Sequence, residues 1–133
     1  GMFTHLAEAV INEGGTVFGA RFDQQWNVVH ASAESSDELR DFRGSKYVQS
    51  NIDYIYRDVR ADLKQGTPVL FTGTPCQIAG LRAFLRKDYE NLYLMDLVCH
   101  GVTSQHLLRE NVESIILDEY KQGIDRKVQA NCK

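Results

Sequence analysis

The chain has 133 residues, 15 of them basic and 18 acidic, for a formal net charge of -3, a length that fits one domain with its own core. The basic residues are spread along the chain, which excludes a nucleic-acid footprint, and no run reaches the ~18 apolar residues needed to span a bilayer. The opening stretch GMFTHLAEAVINEGG has neither the basic nor the apolar region of an export signal. A cytoplasmic location is therefore expected, with Cys76, Cys99 and Cys132 as free thiols or metal ligands rather than a disulfide framework.

Residues 4–13 carry Leu6, Val10 and Ile11 at helical spacing and end at Gly14-Gly15, which predicts a first helix. The segments TVFGARF (16–22) and WNVVHA (26–31) are rich in β-branched and aromatic residues and are separated by Asp23, Gln24 and Gln25, the pattern of a hairpin. A short polar helix near 35–42, a loop RGSKYVQS (43–50) and a helix over 52–65 follow. In that last helix Ile52, Ile55, Tyr56, Val59 and Leu63 form one apolar stripe, and Gly66 ends it.

From there the pattern is strand (68–72), helix (75–87), strand (92–98) and helix (104–122), with a further strand expected near 124–130. Such alternation predicts an α/β fold: a three-layer α/β/α domain with a mainly parallel, mixed sheet, an N-terminal helix and a β-hairpin. No repeat, low-complexity tract or linker divides the chain, so a single domain over 1–133 is expected.

Two turns carry the chemistry. In GTPC, Gly73 supplies the tight turn, Thr74 suits the helix N-cap and Pro75 the first helical position. Cys76 then falls in the first turn, where unpaired N–H groups and about half a positive charge favour a thiolate. Cys99 follows the next strand, with Gly101 turning the chain and Thr103 or Ser104 capping the last helix. If the two strands are neighbours, about 4.8 Å apart, both cysteines face one crevice beyond the strands' carboxyl ends. Two readings stand side by side: reactive or ligating thiols, and small residues filling turns. His100 is either a metal ligand or proton shuttle or a hydrogen-bonding turn residue, and Cys132 reads as a tail thiol.

The loop 43–50 offers two cations, Arg43 and Lys46, close backbone N–H groups and a hydroxyl at Gly44 and Ser45, and a ring at Tyr47. That set suits a phosphate-bearing planar cofactor, and it equally describes a solvated turn. Trp26, Tyr54 and Tyr56 are expected to pack rather than bind.

Taken together, GGTVFGARFD (14–23), LRDFRGSKYVQS (39–50), VLFTGTPCQIAGL (69–81) and DLVCHGV (96–102) resemble the coenzyme F420 hydrogenase/dehydrogenase beta subunit family, in its carboxyl-terminal domain. The resemblance implies an iron–sulfur flavoprotein that passes electrons between a flavin, FAD or FMN, and a deazaflavin coenzyme or another redox partner. It implies Cys76 and Cys99 as ligands of a [4Fe–4S] cluster. It also puts Arg43, Gly44, Ser45, Lys46, Tyr47, Gln49 and Ser50, together with Gly73, Thr74, Pro75 and Gln77, at the cofactor. Larger relatives carry a ferredoxin-like amino-terminal part with more cysteines, so the chain reads as a truncated member that would work with a redox partner protein or a ferredoxin-like domain. Two other readings remain open. One is a thiol enzyme with Cys76 as nucleophile and Cys99 resolving; the other is a cofactor-free interaction domain that assembles with itself, as a homodimer, or with a redox partner.

Overall fold

A computed structural model describes residues 2–44, 46, 48–97, 106, 110 and 113–118. The first helix, α1 (Met2–Asn12), stops at Gly14, whose φ of 80° is the left-handed conformation that glycine adopts without strain. Gly15 is required for a different reason. A Cβ there would stand 2.5 Å from the Pro68 carbonyl oxygen and 2.5 Å from Val10 Cγ1, so the chain enters the sheet only because no side chain intervenes.

The expected hairpin forms as β1 (Thr16–Phe22) and β2 (Val28–Ala33), paired antiparallel with Val17 opposite Ala33. Its turn is built on Asp23, whose carboxylate accepts the N–H groups of Gln25 at 2.9 Å and Asn27 at 2.8 Å. Trp26 in that turn has a φ of 63° and is 76% exposed, and its ring packs on that of Phe22 with centroids 5.7 Å apart. Tyr54 is likewise exposed. A single 3-10 helix (Glu38–Phe42) stands in place of the short polar helix expected near 35–42. The next helix, α2 (Ile55–Lys64), starts three residues later than expected, because Asn51 and Asp53 form a turn ahead of it: Asn51 Oδ1 accepts the Asp53 N–H at 3.1 Å and Asp53 has a φ of 48°.

The remaining elements are β3 (Val69–Gly73), α3 (Pro75–Leu85) and β4 (Leu92–Asp96). The sheet order is β2-β1-β3-β4; β3 pairs parallel with β1 on one side and β4 on the other. Side-chain alternation along these strands divides the core in two. On one face Val17, Ala33 and Leu70 pack with Ala7 and Val10 of α1 and with Leu39 and Phe42 of the 3-10 helix. On the other, Phe18, Val69 and Phe71 pack with Val59 and Leu63 of α2 and with Ile78, Leu81 and Leu85 of α3. The expected α/β architecture, helices on both faces of a mostly parallel mixed sheet, is thus observed.

These elements lie in the first of two compact units, 1–102; the second is 103–133. Within the second unit the described residues, His106, Glu110 and 113–118, are helical, and His106 Nε2 lies 3.4 Å from Glu110 Oε1 one turn on. The strand expected near 124–130 falls outside the described residues. Among the described residues no helix is long and apolar enough to cross a membrane.

Candidate functional site

Cys76 is exposed in the first turn of α3, directly beyond the carboxyl end of β3. The local sequence builds that position as expected. Thr74 is the N-cap, with extended backbone angles, and Pro75 opens the helix. Gln77 completes the cap: its Oε1 accepts the Thr74 N–H at 3.0 Å, the return half of a capping box. The Thr74 hydroxyl lies 3.0 Å from the Cys76 sulfur. Strands β3 and β4 are neighbours, in register as far as Gly73 opposite Asp96, and the Leu97 N–H donates to the Gly73 carbonyl at 2.9 Å. The chain therefore leaves the sheet beside the Cys76 turn two residues before Cys99, which itself lies outside the described residues, as do His100 and Cys132.

Beside the same helix runs a groove of about 300 Å³ lined by Pro75, Ile78, Ala79, Arg82, Leu94 and Asp96. The groove has an apolar floor and two charged residues of opposite sign, and it is open to solvent.

A buried polar network lies behind the turn. Pairing of β1 with β3 ends at Phe18 opposite Phe71, so the Thr72 carbonyl, one residue on, needs another donor. His30 of β2 supplies it, with Nε2 at 2.8 Å. The other ring nitrogen, Nδ1, is 2.7 Å from the Ser50 hydroxyl, and Ser50 Oγ accepts Gln77 Nε2 at 2.8 Å. The ring also stacks on Phe71, with centroids 5.3 Å apart. Burial lowers the pKa of His30, an effect only partly offset by the Thr72 carbonyl. Tyr56 of α2 adds a last support, donating to the Gln77 carbonyl at 2.7 Å. Burial, reinforced by any charge on Cys76, raises the Tyr56 pKa and keeps the phenol a donor.

The loop 43–50 meets the Cys76 turn through the Ser50–Gln77 bond. Ser50 and Gln77 are buried and engaged with His30, with each other and with Thr74. The Lys46 ammonium donates to the carbonyls of Asp41, Arg43 and Gly44 at 3.2, 3.0 and 3.2 Å, so it ties its own loop together. Arg43, Gly44 and Gln49 are exposed, and a Cβ on Gly44 would meet nothing within 4 Å. Ser45 and Tyr47 lie outside the described residues. Gly73 has no such space: a Cβ there would be 2.9 Å from Gln77 Oε1. His30 escaped the sequence reading, although one signal was present. In β2 it alternates with Val28 on the inward face, and a polar side chain at an inward strand position needs partners.

The class defined by this fold and site is an α/β domain that presents a cysteine on a capped helix at the carboxyl edge of a parallel strand pair. Residues 66–124 match the family described as the C terminus of the coenzyme F420 hydrogenase/dehydrogenase beta subunit, and the similarity is confined to that segment. The match takes in β3, α3 and β4, including the turn that carries Cys76. No curated protein matches the chain.

Proposed function

We propose that the chain is a redox domain of an iron–sulfur flavoprotein oxidoreductase, handling electrons between a flavin and a deazaflavin coenzyme or a partner redox protein. The observation that carries this reading is the exposed Cys76 sulfur, held on a capped helix start beside the strand that leads to Cys99. The family supports it too, being redox-related and, by its description, a beta subunit that would work with other subunits.

Cys76 fits a cluster ligand in its exposure and in its place at the start of a capped helix. Among the described residues no group of three or more His, Cys, Asp or Glu gathers around a metal position. With three cysteines in the sequence, a cubane held by four thiolates takes at least one ligand from elsewhere, which fits a subunit that assembles with partners. When bound, the cluster and flavin supply the one-electron chemistry. The chain's own residues would do the holding: Cys76 and Cys99 through their sulfurs, Arg43 and the Gly44 backbone toward flavin phosphates, and the groove at Pro75 and Ile78 as an apolar wall for a planar ring. Lys46 orders this loop, Gly73, Thr74, Gln77 and Ser50 shape the turn, and Ser45, Tyr47 and Gln49 are further cofactor contacts of the loop in this reading.

The test is anaerobic reconstitution with iron, sulfide and flavin, followed by iron quantitation and a visible spectrum of the desalted protein. Broad absorption near ~400 nm is expected, and it should be lost in Cys76→Ser and in Cys99→Ser. Iron content unchanged in both variants would refute the reading.

A further inference from the structure

We infer that His30 is a positioning residue for the turn that presents Cys76, acting on Thr72 directly and on Thr74 through Ser50 and Gln77. This rests on the reading of Cys76 as a ligand. The direction of every hydrogen bond follows from the partners. The Thr72 carbonyl can only accept, so His30 Nε2, 2.8 Å away, carries the proton. In the neutral ring Nδ1 is then an acceptor, and the Ser50 hydroxyl at 2.7 Å donates to it. The Ser50 oxygen in turn accepts from Gln77 Nε2 at 2.8 Å, which leaves Gln77 Oε1 facing the Thr74 N–H at 3.0 Å.

Both ends of this relay close on the same three residues. Thr72 precedes Gly73 and Thr74 follows it, so the chain is clamped on either side of the glycine, and Cys76 begins two residues beyond the second clamp. The relay joins β2, the loop ending at Ser50, β3 and α3. It is shielded as well: His30, Ser50 and Gln77 are 5%, 7% and 7% exposed, so water competes poorly for any of these bonds. An apolar side chain in place of His30 could fill the space against Phe71 but could not order the donors. The polarity therefore acts on the orientation of the turn.

The experiment uses the full chain without cofactors for its first readout. Nitrogen-15 NMR of the His30 ring should give a neutral imidazole protonated at Nε2; a neutral ring protonated at Nδ1 would overturn the relay. Hydrogen exchange at the Thr74 amide should be accelerated at least tenfold in His30→Leu and in Ser50→Ala. His30→Gln, which keeps a donor and an acceptor, should restore it to within threefold of the wild type. Reconstitution of the same variants with ferrous iron and sulfide should give His30→Leu and Ser50→Ala no more than half the wild-type iron. Unchanged Thr74 exchange in folded Ser50→Ala overturns the relay, and accelerated exchange with full iron overturns its link to Cys76. Failure of the underlying reading is separate: Cys76→Ser would keep its iron while the exchange results stand.

Discussion

The Tyr56 hydroxyl on α2 meets the Gln77 carbonyl on α3 at 2.7 Å, and the same oxygen occupies the space above Gly80, where a Cβ would come within 2.8 Å of it. One phenol therefore both ties the two helices and dictates a glycine in the middle of α3. Tyr56→Phe should destabilise the fold by about 0.5–1.5 kcal/mol, since the ring still packs near Phe71 and Phe84. Gly80→Ala alone should cost about 1–3 kcal/mol by overpacking. In the Tyr56→Phe background the clashing oxygen is gone, and the same alanine should be neutral or stabilising by up to about 1 kcal/mol. Denaturant unfolding of the four proteins checks the cycle; additive effects would contradict it.

The buried His30 ring makes stability depend on pH. Burial holds its pKa below 6.5 in the folded protein, so as the pH falls below about 6.5 the unfolded chain takes up a proton that the native ring resists. The contribution is complete above that pH and is lost as the pH falls toward the folded value. His30→Gln should flatten the decline in unfolding free energy as the pH falls below about 6.5. Asp53 and Asp58, which line the same recess, are present in both proteins, so the difference isolates the ring.

At the junction of α1 and β1, Gly15→Ala should be among the most damaging small substitutions. Its Cβ would meet backbone oxygens of Pro68 and Val10 at 2.5 and 2.7 Å as well as the Val10 side chain, and backbone yields less than a flexible side-chain tip. A loss of about 1–3 kcal/mol is expected. Gly14→Ala should be milder, because it adds strain at a φ of 80° but no contact within 4 Å; thermal melts of the two variants give the comparison.

The two cations of the loop should separate in their effects. Lys46 is bound to three carbonyls, one of them that of Arg43, so Lys46→Met should loosen the loop and speed limited trypsin cleavage after Arg43 several-fold. Arg43→Ala should leave the loop ordered and weaken flavin binding by about tenfold, the scale of one charge-assisted hydrogen bond. A flavin titration in which Arg43→Ala matches the wild type would remove Arg43 from the proposed cofactor site.

How far the sequence alone could reach depended on whether a structural cause was local. The Thr74-Pro75 helix start is legible because capping depends on adjacent residues, and β3 before it because burial on both faces leaves a continuous apolar run. The start of α2 was missed because the Asn51–Asp53 turn holds Ile52 outside the helix although its side chain still packs on the core. Ser50 and Gln77 were read for their polar groups without any means of seeing that those groups meet at 2.8 Å across 27 residues of chain. His30 was hidden for the same reason: its partners come from β3 and from the loop, and periodicity registers a residue's face but not its company.

The turn before α3 is held by the Thr74 backbone, the Gln77 side chain and the Thr72 carbonyl, and Cys76 adds to this only a contact with the Thr74 hydroxyl. Scaffold and exposed thiol are thus carried by different residues. The sulfur can be exchanged for oxygen, selenium or an alkylated thiol with the backbone beneath it left in place, which makes this position an interchangeable socket for asking what the side-chain atom itself contributes.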